Sequence, residues 1–197
     1  SAIGQYILSL GVAQDIAGAL WEAFWWLHLI VILGFGIYIP LSKHTHLLGS
    51  PMSFVFRTLG PMGILSTPKD LETAETFGAG KVQDFTWKEL LDGYACAVCG
   101  RCTDNCPAHI SGKILSPMHV VENLKEHLLE SGPDILKSSD GSESKSLIGN
   151  KVQEEELWDC LTCGACEQEC PVGVEHIDTI VDMRRNLVME QGRMPET

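Results

Sequence analysis

The chain has 197 residues, enough for one medium domain or two small ones. Its net charge of −12 argues against a nucleic-acid partner, because a phosphate backbone needs clustered Lys and Arg. Mean hydropathy is nonetheless slightly positive, and the apolar excess is concentrated in the first quarter.

The chain opens on Ser1 rather than Met, as expected of a processed chain or of part of a longer one. A secretory signal is not expected: no basic n-region precedes the apolar stretch, which lies too far in and is too long. From Ala17 to Leu41 the only charged side chain is Glu22. About 20 apolar residues rising about 1.5 Å each cross a hydrocarbon core of about 30 Å, so this stretch predicts a transmembrane helix over about 17–41. Trp21, Trp25 and Trp26 at one end and Tyr38 at the other suit the two interfaces. Gly34 and Gly36 permit close helix approach, and Pro40 marks an end or a kink. A core helix buried in a soluble protein is the competing reading. Lys43, Arg57 and Lys69 follow the span, whereas Asp15 and Glu22 precede or open it; this asymmetry predicts a cytoplasmic membrane protein with its C-terminal part facing the cytoplasm.

His28 is the one ionisable residue between Ala23 and Leu41. At membrane depth it is a candidate haem ligand, or a histidine hydrogen-bonded to a neighbouring helix. His44 and His46 would lie about 24 to 27 Å further along a continued helix, too far to share one haem with His28. They are candidates for a second haem near the cytoplasmic face. Beyond them, residues 51–85 carry scattered Gly and Pro. Met52 to Leu59 is expected to form a short interfacial segment, and the rest an extended connector without chemistry.

The stretch "CAVCGRCTDNCP" (Cys96 to Pro107) returns as "CLTCGACEQECP" (Cys160 to Pro171). Both read C-x2-C-x2-C-x3-C-P, and together they use all eight cysteines. This spacing binds [4Fe–4S] clusters: three thiolates in a tight loop wrap three irons of a cube, while the fourth cysteine ligates the other cluster in two-cluster ferredoxins. Gly100 and Gly164 let the loops curl closely. The predicted ligands are Cys96, Cys99, Cys102 and Cys170 for cluster 1, and Cys160, Cys163, Cys166 and Cys106 for cluster 2. Zinc is the weaker reading, since structural zinc usually takes separated cysteine pairs. A disulfide framework conflicts with a reducing compartment.

Helices should deliver these loops. Thr86, Trp87, Leu90 and Leu91 begin one that leads to Cys96. "SPMHVVENLKEHLLE" has helical period with Ser116–Pro117 as its start. "SGPDILKSSDGSESKSLIGN" predicts a polar break, "KVQEEELWDC" a helix into the second motif, and "VEHIDTIVDMRRNLVMEQG" a final helix. His109, His119, His127 and His176 are expected to be surface or packing residues. Arg101, between two ligands, is read as solvent-exposed, with cluster tuning or partner contact as the alternative. The fold class is mainly α: residues 1–50 as a membrane segment, 51–85 as the connector and 86–197 as a helical ferredoxin-like domain with two clusters.

"SKHTHLL" after the span, followed by "DFTWKELLDGYACAVCGRCTDNCPAHISGKILSP" and "CLTCGACEQECPVGVEHIDTIVDMRRNLV", resembles membrane-anchored iron–sulfur oxidoreductases related to heterodisulfide reductase, in particular those described as electron-transfer-flavoprotein:menaquinone oxidoreductases. The likeness covers roughly residues 20–190. It implies a cytochrome-b-like membrane part and electron transfer from a cytoplasmic flavoprotein towards menaquinone. It also implies haem b with His28 as a ligand and His44 or His46 as another. Such proteins usually have several transmembrane helices and continue into cysteine-rich CCG domains; those parts are expected in a longer polypeptide or in other subunits. The alternatives in function are an iron–sulfur component of a heterodisulfide- or sulfite-linked respiratory complex, and a non-redox membrane anchor or iron sensor. No acid–base pair or nucleophile constellation stands out, so no bond-making catalysis is assigned to this chain.

Overall fold

The computed structural model describes residues 2–9, 14–60, 64–67, 76–138 and 146–195. They are helical, and among them no strand forms beyond one isolated bridge joining Ile148 and Val152. The chain divides into two compact units, Ser1–Thr45 and His46–Thr197.

The first unit holds helices α1 (Ala2–Ser9) and α2 (Gln14–Tyr38). Leucine, isoleucine, alanine and aromatic residues run along α2 with no proline before residue 40, so nothing interrupts the backbone ladder. Pro40 then enters a 3-10 turn over Ile39–Leu41, where its missing N–H breaks the α pattern, and a second 3-10 turn follows over Lys43–Thr45. Asp15–Leu41 is long and apolar enough to cross a membrane, and none of its most apolar window is buried within the chain.

The second unit opens with α3 (His46–Val55), which docks on α4 (Trp87–Ala95). Thr86 and Glu89 cap α4 reciprocally: the Thr86 hydroxyl accepts from the Glu89 N–H, and the Glu89 carboxylate accepts from the Thr86 N–H at 2.7 Å. Helix α5 (Arg101–Asp104) and helix α6 (Pro107–Ile110) follow. The long α7 (Pro117–Lys137) starts at the Ser116 cap and packs on α4, α5 and α10 (His176–Arg185). Between α7 and α10 lie α8 (Glu154–Asp159) and α9 (Ala165–Gln168). Leu115, Val120, Leu124, Leu147, Val152, Leu157, Ile180, Met183 and Leu187 form the main core.

Three local features differ from the sequence expectations. The helix at 46–55 begins ahead of the segment expected at Met52–Leu59 and docks on α4, because Gly49 lets the two backbones lie together: a Cβ there would sit 2.8 Å from the Tyr94 carbonyl carbon. The end of the expected connector is core, with Ala79, Val82 and Phe85 buried. Gly78 makes this possible, since at φ +70 a side chain would collide with the Asp182 carbonyl oxygen. Finally, α7 continues through Ser131, Gly132 and Pro133 to Lys137, with Ser131 buried, so the polar break begins later than predicted.

Candidate iron–sulfur site

The two cysteine motifs fold alike. Cys96 caps the C-terminus of α4, and its N–H donates to the Asp92 carbonyl at 2.9 Å; Cys160 caps α8 in the same way through Leu157. Each loop then places a β-branched residue at positive φ, Val98 at 53° and Thr162 at 51°. Such a residue there costs on the order of 1–3 kcal/mol. A glycine follows in each copy, Gly100 at φ 84° and Gly164 at φ 79°, each starting a four-residue helix that carries the third cysteine, Cys102 on α5 and Cys166 on α9. The strain winds the loop so that backbone N–H groups face sulfur. The Thr162 N–H donates to Cys160 Sγ at 3.4 Å, and the Val98 N–H lies against Cys96 in the same manner. The Val174 N–H donates to Cys170 Sγ at 3.4 Å.

The fold brings the motifs together in a crossed arrangement. Cys96 and Cys170 pack around one small apolar cluster, and Cys102 lies within electrostatic reach of both. Cys160 in turn neighbours Cys106 and Cys163. A small cavity of about 20 Å³ is lined by Cys106, Cys160, Cys163 and Cys166, with Leu115 and Ile180 on its apolar wall. Cys102, Cys106 and Cys166 are buried, Cys96, Cys160 and Cys170 half-buried, and Cys99 and Cys163 exposed.

Burial, reinforced by the neighbouring sulfurs, pushes the Cys102 thiol up to about 11. Burial, then Glu167, drives Cys166 far above the ordinary thiol range, and burial also raises Cys96 and Cys160. Such sulfurs become thiolates only where positive charge is supplied, as ligated iron does. Among the described residues no three His, Cys, Asp or Glu side chains converge on a single ion; around a cubane each thiolate binds its own iron. The two groups of four cysteines, lined by N–H donors and apolar walls, fit such clusters.

Two groups near the site were not read from the sequence. Arg184 on α10 donates through Nε to the Leu157 carbonyl at 2.7 Å and through Nη2 to the Cys160 carbonyl at 2.5 Å, and lies over the Trp158 ring. Its spacing from Ile177 and Ile180 places it on the buried face of α10, a signal the periodicity carried. Asp92, 1 % exposed, accepts from Ser53 Oγ at 2.7 Å, Lys88 Nζ at 2.6 Å and the Glu175 N–H at 2.9 Å. It thereby ties α3, α4 and the chain after Cys170 together; no motif announces it. Burial raises its carboxyl above the usual range against the pull of these partners.

The remaining residues that the sequence singles out are dispersed. Arg101 is exposed, as is His119. His109 Nδ1 lies 3.0 Å from the Leu115 carbonyl, and His127 and His176 are buried in packing. His28 sits on α2 in an open groove with Trp21, Phe24, Trp25, Leu27 and Val31. His44 Nδ1 lies 3.3 Å from Ser42 Oγ, and its ring packs near Tyr38. His46 starts α3.

Two four-cysteine loops of one spacing, folded side by side, point to a class, and residues 88–171 match the family described as "4Fe-4S dicluster domain". Residues 88–171 are therefore similar to a dicluster iron–sulfur domain, and among the described residues one long apolar helix precedes them in the sequence. The chain is a homologue of iron–sulfur oxidoreductases. It is 39% identical over 224 residues to a Bacillus subtilis protein described as probable iron-sulfur-binding oxidoreductase FadF, covering 98% of this chain and 32% of that one. It is 39% identical over 191 residues to an EtfAB:quinone oxidoreductase of Syntrophomonas wolfei, covering 87% and 27%. Over 110 residues it is 33% identical to an iron–sulfur subunit of the CoB–CoM heterodisulfide reductase of Methanopyrus kandleri, covering 56% and 46%. The chain thus spans about a third or less of the first two relatives' length. No solved structure matches it.

Proposed function

We propose that this chain is the electron-transfer segment of a membrane-bound, quinone-linked oxidoreductase. When bound, two [4Fe–4S] clusters supply one-electron carriers. Cys96, Cys99, Cys102 and Cys170 hold one, and Cys160, Cys163, Cys166 and Cys106 the other. The single observation that supports this reading is the crossed proximity of Cys170 to Cys96 and Cys102, and of Cys106 to Cys160, which is what two sites with exchanged fourth cysteines require.

The chain's own groups then have distinct tasks. The N–H groups of Val98, Thr162 and Val174 steady negative charge at sulfur. Leu115 and Ile180 exclude water from the second site. Exposed Cys99 and Cys163 mark where each site comes nearest to solvent, and so to a redox partner. Helix α2 spans the cytoplasmic membrane with the cluster domain on the cytoplasmic side. His28 is a haem b ligand and His44 or His46 another, with the rest of the pocket coming from other membrane segments. A cytoplasmic flavoprotein is the electron donor and menaquinone the acceptor, in keeping with the quinone named for the Syntrophomonas wolfei relative. CCG-containing domains or subunits complete the enzyme. The similarity to the iron–sulfur subunit of a heterodisulfide reductase favours a second reading, an iron–sulfur component of a heterodisulfide-linked complex.

The test is anaerobic purification of the membrane-extracted chain, iron and sulfide analysis, EPR of the dithionite-reduced protein and pyridine haemochrome. About eight irons and eight sulfides per chain, with spectra of two interacting reduced cubanes, are expected from the ligand count. Haem b in the same sample, lost in His28→Ala, supports the quinone-linked arrangement. Zinc without sulfide overturns the reading.

A further inference from the structure

The second unit exposes an apolar surface that none of its described residues covers. On and just beyond α3, Leu48, Met52, Val55, Phe56 and Leu59 are between 56% and 85% exposed. Trp87, itself 62% exposed, packs edge-on against Phe56 at 5.2 Å, and Arg57 lies over the Phe54 ring. Helix α3 buries only its small residues, Gly49 and Ser53, and turns its large ones outward. A contiguous apolar patch of this kind marks a partner or a membrane.

The charge pattern selects between them. Although the chain has 26 acidic residues, none falls between Glu22 and Asp70, while Lys43, Arg57 and Lys69 do. The stretch itself is acid-free and weakly basic with exposed aromatic residues, which suits a lipid headgroup surface; the carboxylates beside it, Glu175 and Asp178, accept from the Thr58 and Ser66 N–H groups. Continuity points the same way. Only residues 42–45 separate the end of the apolar span from α3, a reach of no more than about 18 Å.

We infer that α3 and the turn after it lie in the headgroup region of the same bilayer that α2 crosses, and that this fixes cluster 1 as the membrane-proximal cluster. The inference rests on the membrane-spanning reading of α2. Helix α3 touches the first site directly: Ser50 Oγ donates to the carbonyl of Ala95, the residue before Cys96, at 2.9 Å. The Thr58 N–H donates to Glu175 Oε1 at 2.6 Å, and Arg57, Leu59 and Ile64 line the cleft that reaches Cys170. By contrast, none of the residues lining the cavity of the second site comes from 46–85. One layer of helix, about 8–10 Å, therefore separates Cys96 from the lipid. The second site is left for the water-soluble partner, so electrons passing between that partner and the membrane traverse cluster 2 and then cluster 1, or the reverse.

The experiment places p-benzoylphenylalanine at Val55, Leu33 or Leu136 of the full chain. Each variant is reconstituted with its clusters in vesicles of phosphatidylethanolamine and phosphatidylglycerol, irradiated, and its adducts are identified by mass spectrometry. Leu136 is 89% exposed on α7 and serves as the distal control. Lipid adducts at Leu33 and Val55, at least about tenfold above Leu136, are expected. Lipid adducts at Leu33 but protein adducts or none at Val55 overturn the inference while leaving the span intact. Absence of lipid adducts at Leu33 removes the spanning reading, and with it this inference. Lipid adducts at Leu136 equal to those at Val55 also overturn it, since the domain would then have no preferred face.

Discussion

Asp92→Ala tests how the buried junction beside the first cysteine loop is held. The carboxylate, 1 % exposed, accepts three hydrogen bonds, from Ser53, Lys88 and the Glu175 N–H. Each lost acceptor costs about 1–1.5 kcal/mol when the donor is stranded. Lys88 recovers part of its share, because its side chain is 12% exposed and lies 3.8 Å from Glu175. Ser53 is fully buried and recovers none. The sum is about 3 kcal/mol, borne by the contact of α3 and the 173–175 chain with α4 rather than by the distant core. At about 1.4 kcal/mol per decade, this is a roughly 100-fold loss of protection. Hydrogen–deuterium exchange of the intact, cluster-loaded protein reads it. Amides of α3 should exchange about 100-fold faster, while those of α7 between Val120 and Leu124 stay unchanged. Protection of α3 within about threefold of wild type would refute the argument, since Asp92 would then not be what holds α3 down.

Other perturbations follow from the same structure. In Gly49→Ala the gain in helix propensity, about 1 kcal/mol, is outweighed by a Cβ driven to 2.8 Å from α4 backbone; α3 should exchange about tenfold faster, and slower exchange would show the contact to be loose. His176 is held neutral by burial, its pKa lowered from 6.5 to about 4. The unfolded chain therefore takes up a proton between those values that the folded chain does not, so stability is lost as pH falls from about 6.5 towards 4. His176→Leu should show less of that loss, read as a smaller drop in urea midpoint from about pH 7 to about pH 5. The carboxyls raised by burial, Glu89, Asp92, Glu167 and Asp182, act in the opposite sense in both proteins and cancel in the comparison. Arg184→Gln removes a positive charge anchored on the Cys160 carbonyl. It should lower the midpoint potential of the cluster held there by about 60 mV, a tenfold change for a one-electron couple. EPR-monitored titration checks this, and an unchanged potential would assign Arg184 to packing alone.

Periodicity and caps made α2, α4, α7, α8 and α10 legible in the sequence. Helices α2, α4, α7 and α10 each carry an unbroken apolar run, a Ser or Thr before the first turn, or apolar residues three and four apart, whereas α8 opens on three glutamates, which the positive end of a helix favours. The loop pairs were legible because cysteine spacing is fixed by the chemistry of thiolate and iron. Helix α3 was not: its inward face consists of Gly49 and Ser53, and its apolar residues face away from the protein, so the usual inference from apolar to buried inverts. The packed run at Ala79, Val82 and Phe85 was hidden behind Gly78, whose role depends on the Asp182 carbonyl more than 100 residues later. Pro133 misled in another way. Proline forbids one backbone bond but does not end a helix whose neighbour, Ser131, is already anchored in the core. Arg184 and Asp92 act through backbone groups of distant residues, a relation that no local pattern encodes.

Cys170 lies beside Cys96 and Cys102, and this sets a schedule for biosynthesis. A ribosome adding roughly 5–20 residues per second needs several seconds to travel from the third cysteine of the first loop to the last cysteine of the second. Throughout that interval Cys96, Cys99 and Cys102 lack the partner that the proposed ligation gives them, Cys106 being proposed for the other site. Metal delivered early would be held by an incomplete set, open to exchange. Iron loading is therefore best timed after the second loop has emerged and α10 has folded over it, and the two halves mature together or not at all. On the proposed ligation, a chain interrupted between α7 and α8 would leave both sites one thiolate or more short, and translation past Cys170 would then act as a checkpoint on metal content.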